Sequence, residues 1–235
     1  MVDIDNDGDL DLYVCYVGFP NELYVNDGGG NFREAAGEFG LAISTGSNAP
    51  SFADYDRDGD LDLYLQCNYL EGSGMPEGLP DRLLENRSGH FVHVSEAAGI
   101  AGVGQGHAAI WWDCDQDGWP DLYVANDFAM GDRLYRNNRD GTFSDVLKEA
   151  FLFAPYSAMG ADLADLNNDG LADFVVGEMA PRDRSYYLRS VGPLSAKLFS
   201  IDKSGVGQFM QNAVAANLGD GRFADVGYLT GMQAT

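Results

Sequence analysis

The sequence predicts an all-β chain made of β-propeller blades, each of four short antiparallel strands. Three observations carry that prediction. A twelve-residue stretch occurs four times, starting at Asp3, Asp54, Asp113 and Asp165, at intervals of 51, 59 and 52 residues. Each copy runs from an acidic, glycine-containing loop straight into an apolar strand, as in DIDNDGDLDLYV from Asp3. A Gly-rich tight turn followed by phenylalanine also recurs at a matching place, before Phe32, Phe91, Phe143 and Phe223. Self-similarity at such a period marks solenoids, propellers and arrays. The connections are too short for parallel crossovers, and the strands of a sandwich would not repeat so regularly.

Each repeat reads in the same order. The acidic loop leads into a first strand: Leu10–Tyr16, Leu61–Gln66, Pro120–Ala125 and Leu171–Gly177. A second strand ends on asparagine: Glu22–Asn26, Arg82–Asn86, Arg133–Asn137 and Ala213–Asn217. The turns NDGGGN, NRSGH, NRDGT and LGDGR follow, and Asn-Gly and Asp-Gly chemistry marks hairpins. A third strand opens on each phenylalanine. After a connection of small residues, a fourth strand runs into the next loop: Ala49–Ala53, His107–Trp112 and Ser157–Ala164. Alternating hairpins put the acidic loops and Gly-rich turns at one end of each blade and the longer connections at the other. The longest connection, an insert at 178–209, carries Arg182, Arg184, Arg189, Lys197 and Lys203 with Tyr186 and Tyr187. It is either a contact surface or a structural lid. The repeats fill residues 1–235. The first lacks an incoming strand, so an arc of a larger ring, completed by further blades of a longer chain, is expected.

A content of 45% hydrophobic and 12% aromatic residues is that of a globular chain and excludes a disordered acidic tail. The net charge is −23, concentrated in the four loops. Nucleic acid and anionic membranes are therefore poor partners. No run approaches the length of a membrane span. Of the three cysteines, Cys15 and Cys67 follow equivalent strands but stand one residue out of register. That favours buried thiols over a disulfide between them.

The loops have the chemistry of a calcium site. Ca²⁺ takes six to eight oxygens in flexible geometry, and D-x-[DN]-x-D-G-x-x-D supplies them. Candidate ligands are Asp3, Asp5, Asp7, Asp9 and Asp11; Asp54, Asp56, Asp58, Asp60 and Asp62; Asp113, Asp115, Asp117, Trp119 and Asp121; and Asp165, Asn167, Asp169, Leu171 and Asp173. Position 7 varies freely as Asp9, Asp60, Trp119 and Leu171, so it is expected to offer its backbone carbonyl. Position 6 is always glycine, as a sharp turn requires. The first six positions also fit an EF-hand, but position 12 is Val14, Leu65, Val124 and Val176 where an EF-hand needs glutamate. A single copy would read equally well as a turn whose side chains bond to itself. Four copies in register favour up to four bound Ca²⁺, which would bring the formal charge from −23 to −15.

No catalytic set is found: GxSxG, HExxH and the P-loop are absent. His90 and His93 are three apart on a predicted strand, hence on opposite faces. His107, Trp111 and Trp112 are read as structural.

The motif DxDxDGxxDL(Y/F)V, the LYxN…GxF hairpin and GQGHAAIWWDCDQDGWPDLYVANDF resemble FG-GAP/VCBS repeats. DRLYRNNRDGTFSDV, SAMGADLADLNNDGLADFVV and ANLGDGRFADVGYLTG extend the resemblance over almost the whole chain. It is similar above all to propellers of the ASPIC/UnbV type, related to cartilage acidic protein and the integrin α head. The resemblance implies seven or eight blades and a secreted, cell-surface or periplasmic location. It also implies calcium in the loops named above and a non-enzymatic role in adhesion or in binding a protein or glycan. The alternative is a carbohydrate- or polymer-active enzyme, or an accessory module, on the same scaffold. The chain departs from the family pattern at SAMGAD, HAAIWWD and APSFAD, and at Asn167, which replaces an aspartate and weakens the expected fourth site.

Overall fold

The computed structural model describes residues 1–68, 78–127, 130–179, 200–201 and 205–232, with the backbone alone at 200–201. The chain divides into two compact units: Met1–Gln105 with Asn137–Phe143, and Gly106–Arg136 with Ser144–Thr235.

The first unit opens with β1 (Leu12–Val14), β2 (Val17–Pro20), β3 (Glu22–Asn26), β4 (Phe32–Glu34) and a one-turn helix, α1 (Ala36–Phe39). It continues with β5 (Ser44–Ala53), β6 (Asp62–Cys67), β7 (Arg82–Asn86) and β8 (Phe91–His93). The sheets run β1-β3-β4 and β2-β5-β6-β7-β8. The hairpins are antiparallel, with Tyr24 opposite Leu12 and Glu34, and Leu84 opposite Leu63 and His93. The edge strand β8 is buried only at its first residue, whereas all of β6 is buried. This central strand is buried along its whole length, with Asp62 and Gln66 among its apolar residues.

The second unit holds most of two further blades. One is β9 (Gln105–Trp112), β10 (Asp121–Asp127), β11 (Arg133–Asn137) and β12 (Phe143–Asp145), followed by a helical turn, α2 (Leu147–Ala150). The other is β14 (Ala158–Ala164), β15 (Asp173–Glu178), β18 (Ala213–Asn217) and β19 (Phe223–Asp225), followed by α3 (Gly227–Thr230). Both sheets keep the predicted up-and-down order.

The small-residue connections depart from expectation, since three of them wind into single helical turns. A small extra sheet also departs from the all-antiparallel expectation. It runs β13 (Phe153–Pro155), β17 (Gly207–Phe209), β16 (Ser200–Ile201), and β13 pairs with β17 in parallel. It brings the end of the long insert back beside the connection that follows α2. The insert's Arg182, Arg184, Arg189, Lys197, Lys203, Tyr186 and Tyr187 lie outside the described residues. The first strand is shorter than predicted, and His90 stands just outside β8.

Each unit has its own core. Tyr13, Leu23, Leu41, Leu63, Leu84 and Phe91 meet in the first. In the second, Trp112 stacks on Phe174 at 5.7 Å and Phe151 stacks on Phe223 at 4.6 Å. Trp112 is partly buried and packs against the second core. Cys15, Cys67 and Cys114 are free thiols. Burial pushes Cys15 up to about 11 and Cys67 to about 12, so both stay protonated. Among the described residues no helix is long and apolar enough to cross a membrane, which says nothing about β-barrels.

Candidate metal centres

All four acidic loops are wound by the same hydrogen bonds. The position-6 amides of Gly8, Gly59, Gly118 and Gly170 donate to Oδ2 of Asp3, Asp54, Asp113 and Asp165 at 2.8–3.1 Å. The position-7 amides of Asp9, Asp60, Trp119 and Leu171 donate to Oδ1 of Asp7, Asp58, Asp117 and Asp169 at 2.8–2.9 Å. The backbone turns left-handed twice in each loop. The predicted site is the glycine at position 6, with φ of 89–99°. The other, which the sequence reading missed, is position 4: Asn6, Arg57, Gln116 and Asn168, with φ of 58–62°.

Position 9 has a larger role than a simple ligand. Asp11, Asp62, Asp121 and Asp173 are all buried. Their Oδ2 atoms accept the position-2 amides of Ile4, Tyr55, Cys114 and Leu166 at 2.9–3.2 Å. Oδ1 accepts the amide of the asparagine ending the second strand at 2.8–2.9 Å: Asn26 to Asp11, Asn86 to Asp62 and Asn217 to Asp173. One carboxylate thus fastens the loop to its own blade. Each of its oxygens keeps a lone pair for a further partner.

The loops gather carboxylate oxygens close together. One carboxylate oxygen from each of Asp3, Asp5 and Asp11 lies within 4.8 Å of the others. The same holds for Asp54, Asp56 and Asp58, and for Asp113, Asp115 and Asp121. The position-3 carboxyls Asp5, Asp56 and Asp115 all have raised pKa values, first through burial and then through neighbouring carboxylates. Burial pushes Asp62 up to about 8, with Asp56 and Asp58 adding to the rise and the Asn86 amide opposing it. Oδ1 of Asp54 is buried with no hydrogen-bond partner. Hard oxygen donors, mutual repulsion and an orphaned carboxylate oxygen are what a divalent cation fits. The remaining candidates in these loops, Asp7, Asp9, Asp60, Asp117 and Trp119, lie in the same turns, and Oδ1 of Asp60 also accepts Nδ2 of Asn6 at 3.0 Å.

The fourth loop differs. Asn167 Nδ2 donates to Oδ2 of Asp169 at 2.8 Å, a bond that an aspartate there could not make. Asp165, Asp169, Leu171 and Asp173 keep the common backbone pattern. Among the described residues, no close acidic triad forms in this loop.

The Gly-rich turns lie beside the loops, as predicted. Gly28 abuts the Asp9 carboxylate so closely that a Cβ would collide with it, and a Cβ at Gly221 would lie 3.3 Å from Asp115.

At the other end of the blades a second device recurs that the sequence reading missed. The residue before the second strand accepts an amide from the end of the first strand. Tyr16 donates to Asn21, Cys67 to Asp81, Asn126 to Asp132 and Glu178 to Asn212, all at 2.7–2.9 Å. A buried tyrosine joins it in three repeats: Tyr13 accepts from Asn21, while Tyr64 donates to Asp81 and Tyr123 to Asp132. Burial raises Asp132 and Glu178 each to about 7. Glu178 in turn accepts the amides of Ser157 and Met179. The signal was present in the sequence as an Asp or Asn before each second strand. His107 lies 3.8 Å from Asp127 in the same region.

The model of the FG-GAP-like repeat family matches residues 3–65 and 113–176. Each match opens on the first aspartate of one loop and closes at the end of the next loop's twelve-residue stretch. None of the curated proteins compared is significantly similar to this chain. A solved structure of an Agrocybe aegerita lectin, described as showing specific recognition of non-reducing terminal N-acetylglucosamine, is similar at 17% identity with a TM-score of 0.39. The likeness covers 92% of this chain and 64% of that one, so the chain spans less than two thirds of the lectin's length. With the family model matching more than half of its residues, and both matches framed by the acidic loops, the chain belongs to the FG-GAP-like repeat family.

Proposed function

We propose that this chain is a non-catalytic, calcium-stabilised propeller module that binds a protein or glycan ligand outside the cell. The observation that carries the calcium reading is the set of three carboxylate triads, in three copies of one loop, with Asp54 Oδ1 orphaned in the second. Positions 1, 3, 5 and 9 would supply side-chain oxygens and position 7 a backbone carbonyl. Asp3, Asp5, Asp7, Asp9 and Asp11 would serve the first site, and their counterparts the others. A bound Ca²⁺ supplies positive charge among carboxylates that otherwise repel one another. Exposed loops of this kind suit the millimolar calcium met by extracellular modules.

The adhesive role and the finer likeness to ASPIC/UnbV-type propellers rest on the family resemblance. The competing enzyme reading calls for a carboxylate pair in a cleft away from the loops. Asp132 and Glu178 are the weakened acids in that region, but both are occupied by the hydrogen bonds that hold the first strands.

The test is a melting curve in rigorous EDTA and in millimolar Ca²⁺. At ten times Kd, linkage gives about 1.4 kcal/mol per site. A melting temperature that falls in EDTA and is restored by Ca²⁺, but not by equal Mg²⁺, is expected. An unchanged melt sinks the calcium reading.

A further inference from the structure

The first two acidic loops are joined to each other. Nδ2 of Asn6 donates to Oδ1 of Asp60 at 3.0 Å and to the Gly59 carbonyl at 3.2 Å. The donor stands at position 4 of the first loop and the acceptors at positions 6 and 7 of the second. Folding makes this contact, since 53 and 54 residues separate its ends along the chain.

Both ends lie within the candidate metal centres. Asn6 stands between Asp5 and Asp7, in left-handed backbone at φ 58°. Asparagine is among the few residue types that enter that region readily. The turn that aims Asp5 and Asp7 therefore also aims the Asn6 side chain. At the other end, the Gly59 amide donates to Oδ2 of Asp54 at 3.1 Å and the Asp60 amide to Oδ1 of Asp58 at 2.9 Å. Asn6 thus holds the two residues whose amides fix two carboxylates of the second triad. One of these is Asp54, which carries the orphaned oxygen.

Two effects of opposite sign act between such loops. A cation in one loop weakens the negative field that draws a cation to the other, which opposes the second binding. At physiological ionic strength, fields between exposed charges more than about 8 Å apart are largely screened. The hydrogen bond acts at contact distance and in the other direction. A loop already ordered by its neighbour gives up less conformational entropy when it binds.

We infer that Asn6 couples the first two acidic loops, so that calcium held in either one raises the affinity of the other. This rests on the calcium reading above and adds to it a sign and a residue. The coupling is reciprocal, as binding linkage requires. Asn6 acts as a positioning residue, through a side-chain nitrogen that donates to the second loop.

The experiment is a calcium titration of the full chain in about 0.15 M salt. The backbone amide NMR signals of Gly8 and Gly59 report the two loops one at a time. Asp7→Ala disables the first loop and Asp58→Ala the second. Both replace exposed carboxylates, and unchanged circular dichroism in EDTA shows that the variants fold. Asp7→Ala is expected to raise the calcium midpoint at Gly59 about fivefold, and Asp58→Ala the midpoint at Gly8 by the same factor. Asn6→Gly keeps the left-handed turn and removes the donor. In that background each midpoint is expected to be independent of the other loop. Asp60→Asn keeps an acceptor oxygen and is expected to retain the coupling. Loss of coupling in Asp60→Asn would assign it to the Asp60 charge and overturn the hydrogen bond as its carrier. Coupling that persists in Asn6→Gly rejects Asn6 in this role. Glycine signals that titrate with midpoints indifferent to the other loop overturn the coupling and leave the calcium reading standing. A midpoint that falls when the neighbouring loop is disabled shows the field in control and overturns it equally. Signals unmoved by calcium at both glycines overturn the calcium reading and the coupling with it.

Discussion

Tyr123 donates its hydroxyl proton to the carboxylate of Asp132, and both residues are buried in the third blade. The other oxygen of that carboxylate accepts the Asn126 amide at 2.8 Å. Two donors meet one acid at the point where the chain leaves its first strand and returns in its second. Asn21 and Asn212 do the same work without a charge.

That comparison leads to a pH prediction. Burial raises Asp132 to about 7 in the folded chain, against about 3.9 when unfolded. Between these values the unfolded chain has given up the proton and the folded chain keeps it. Stability from this group is therefore full below about pH 4 and is lost as pH rises to about 7. The full loss is on the order of 4 kcal/mol. Asp132→Asn should match the wild type near pH 4 and exceed it near pH 7.5. Urea unfolding of both proteins across that range measures the difference. Parallel pH profiles would refute it.

The position-9 and position-5 aspartates should separate in calcium-free buffer. Asp62→Ala leaves the amides of Tyr55 and Asn86 without their acceptor. Each buried orphan costs about 1–3 kcal/mol, so the variant should lose at least about 2 kcal/mol in EDTA. Asp58→Ala removes an exposed carboxylate and should change stability in EDTA by about 0.5 kcal/mol or less. Adding Ca²⁺ should then widen the gap between Asp58→Ala and the wild type. Denaturant titration with and without Ca²⁺ reads both effects.

Asn167→Asp should convert the fourth loop to the pattern of the other three. It breaks the bond from Asn167 Nδ2 to Asp169 and adds a like charge. The variant should melt lower than the wild type in EDTA and bind Ca²⁺ about tenfold more tightly at that loop. Calorimetric titration supplies the affinity, and an unchanged isotherm would remove the fourth loop from the set of sites.

Gly59→Ala should cost about 1–2 kcal/mol through backbone conformation alone. Gly59 has φ of 99° and open space where a Cβ would stand, so no clash contributes. The same substitution at Gly37, which lies in α1 and also faces open space, should be neutral or stabilising. Thermal melts of the two variants make the comparison.

Strand order, hairpins and the acidic end of the blades were legible because the same order of parts recurs in repeats 51 to 59 residues apart. The oxygen-donor positions of the loops stand out in the sequence because acidic side chains repeat there, while position 7 drifts. What escaped the sequence was hydrogen bonding over distance. Asp11 reads as one more acid in a run of acids, and only folding shows it buried and fastened to Asn26. Asp81 and Asp132 show no partner in the sequence because the tyrosine each meets lies 17 and 9 positions earlier. Position 4 of the loops varies among Asn, Arg and Gln, so no residue type announced its left-handed backbone. The helical turns α1, α2 and α3 are too short to establish a period.

The asparagine that ends each second strand also reaches beyond its own repeat. Nδ2 of Asn137 donates to the Tyr55 carbonyl at 2.9 Å, and Nδ2 of Asn217 to the Cys114 carbonyl at 3.4 Å. In each case the acceptor is the second residue of the preceding repeat's acidic loop. What loosens one of these loops is therefore passed to the hairpin of the repeat that follows it.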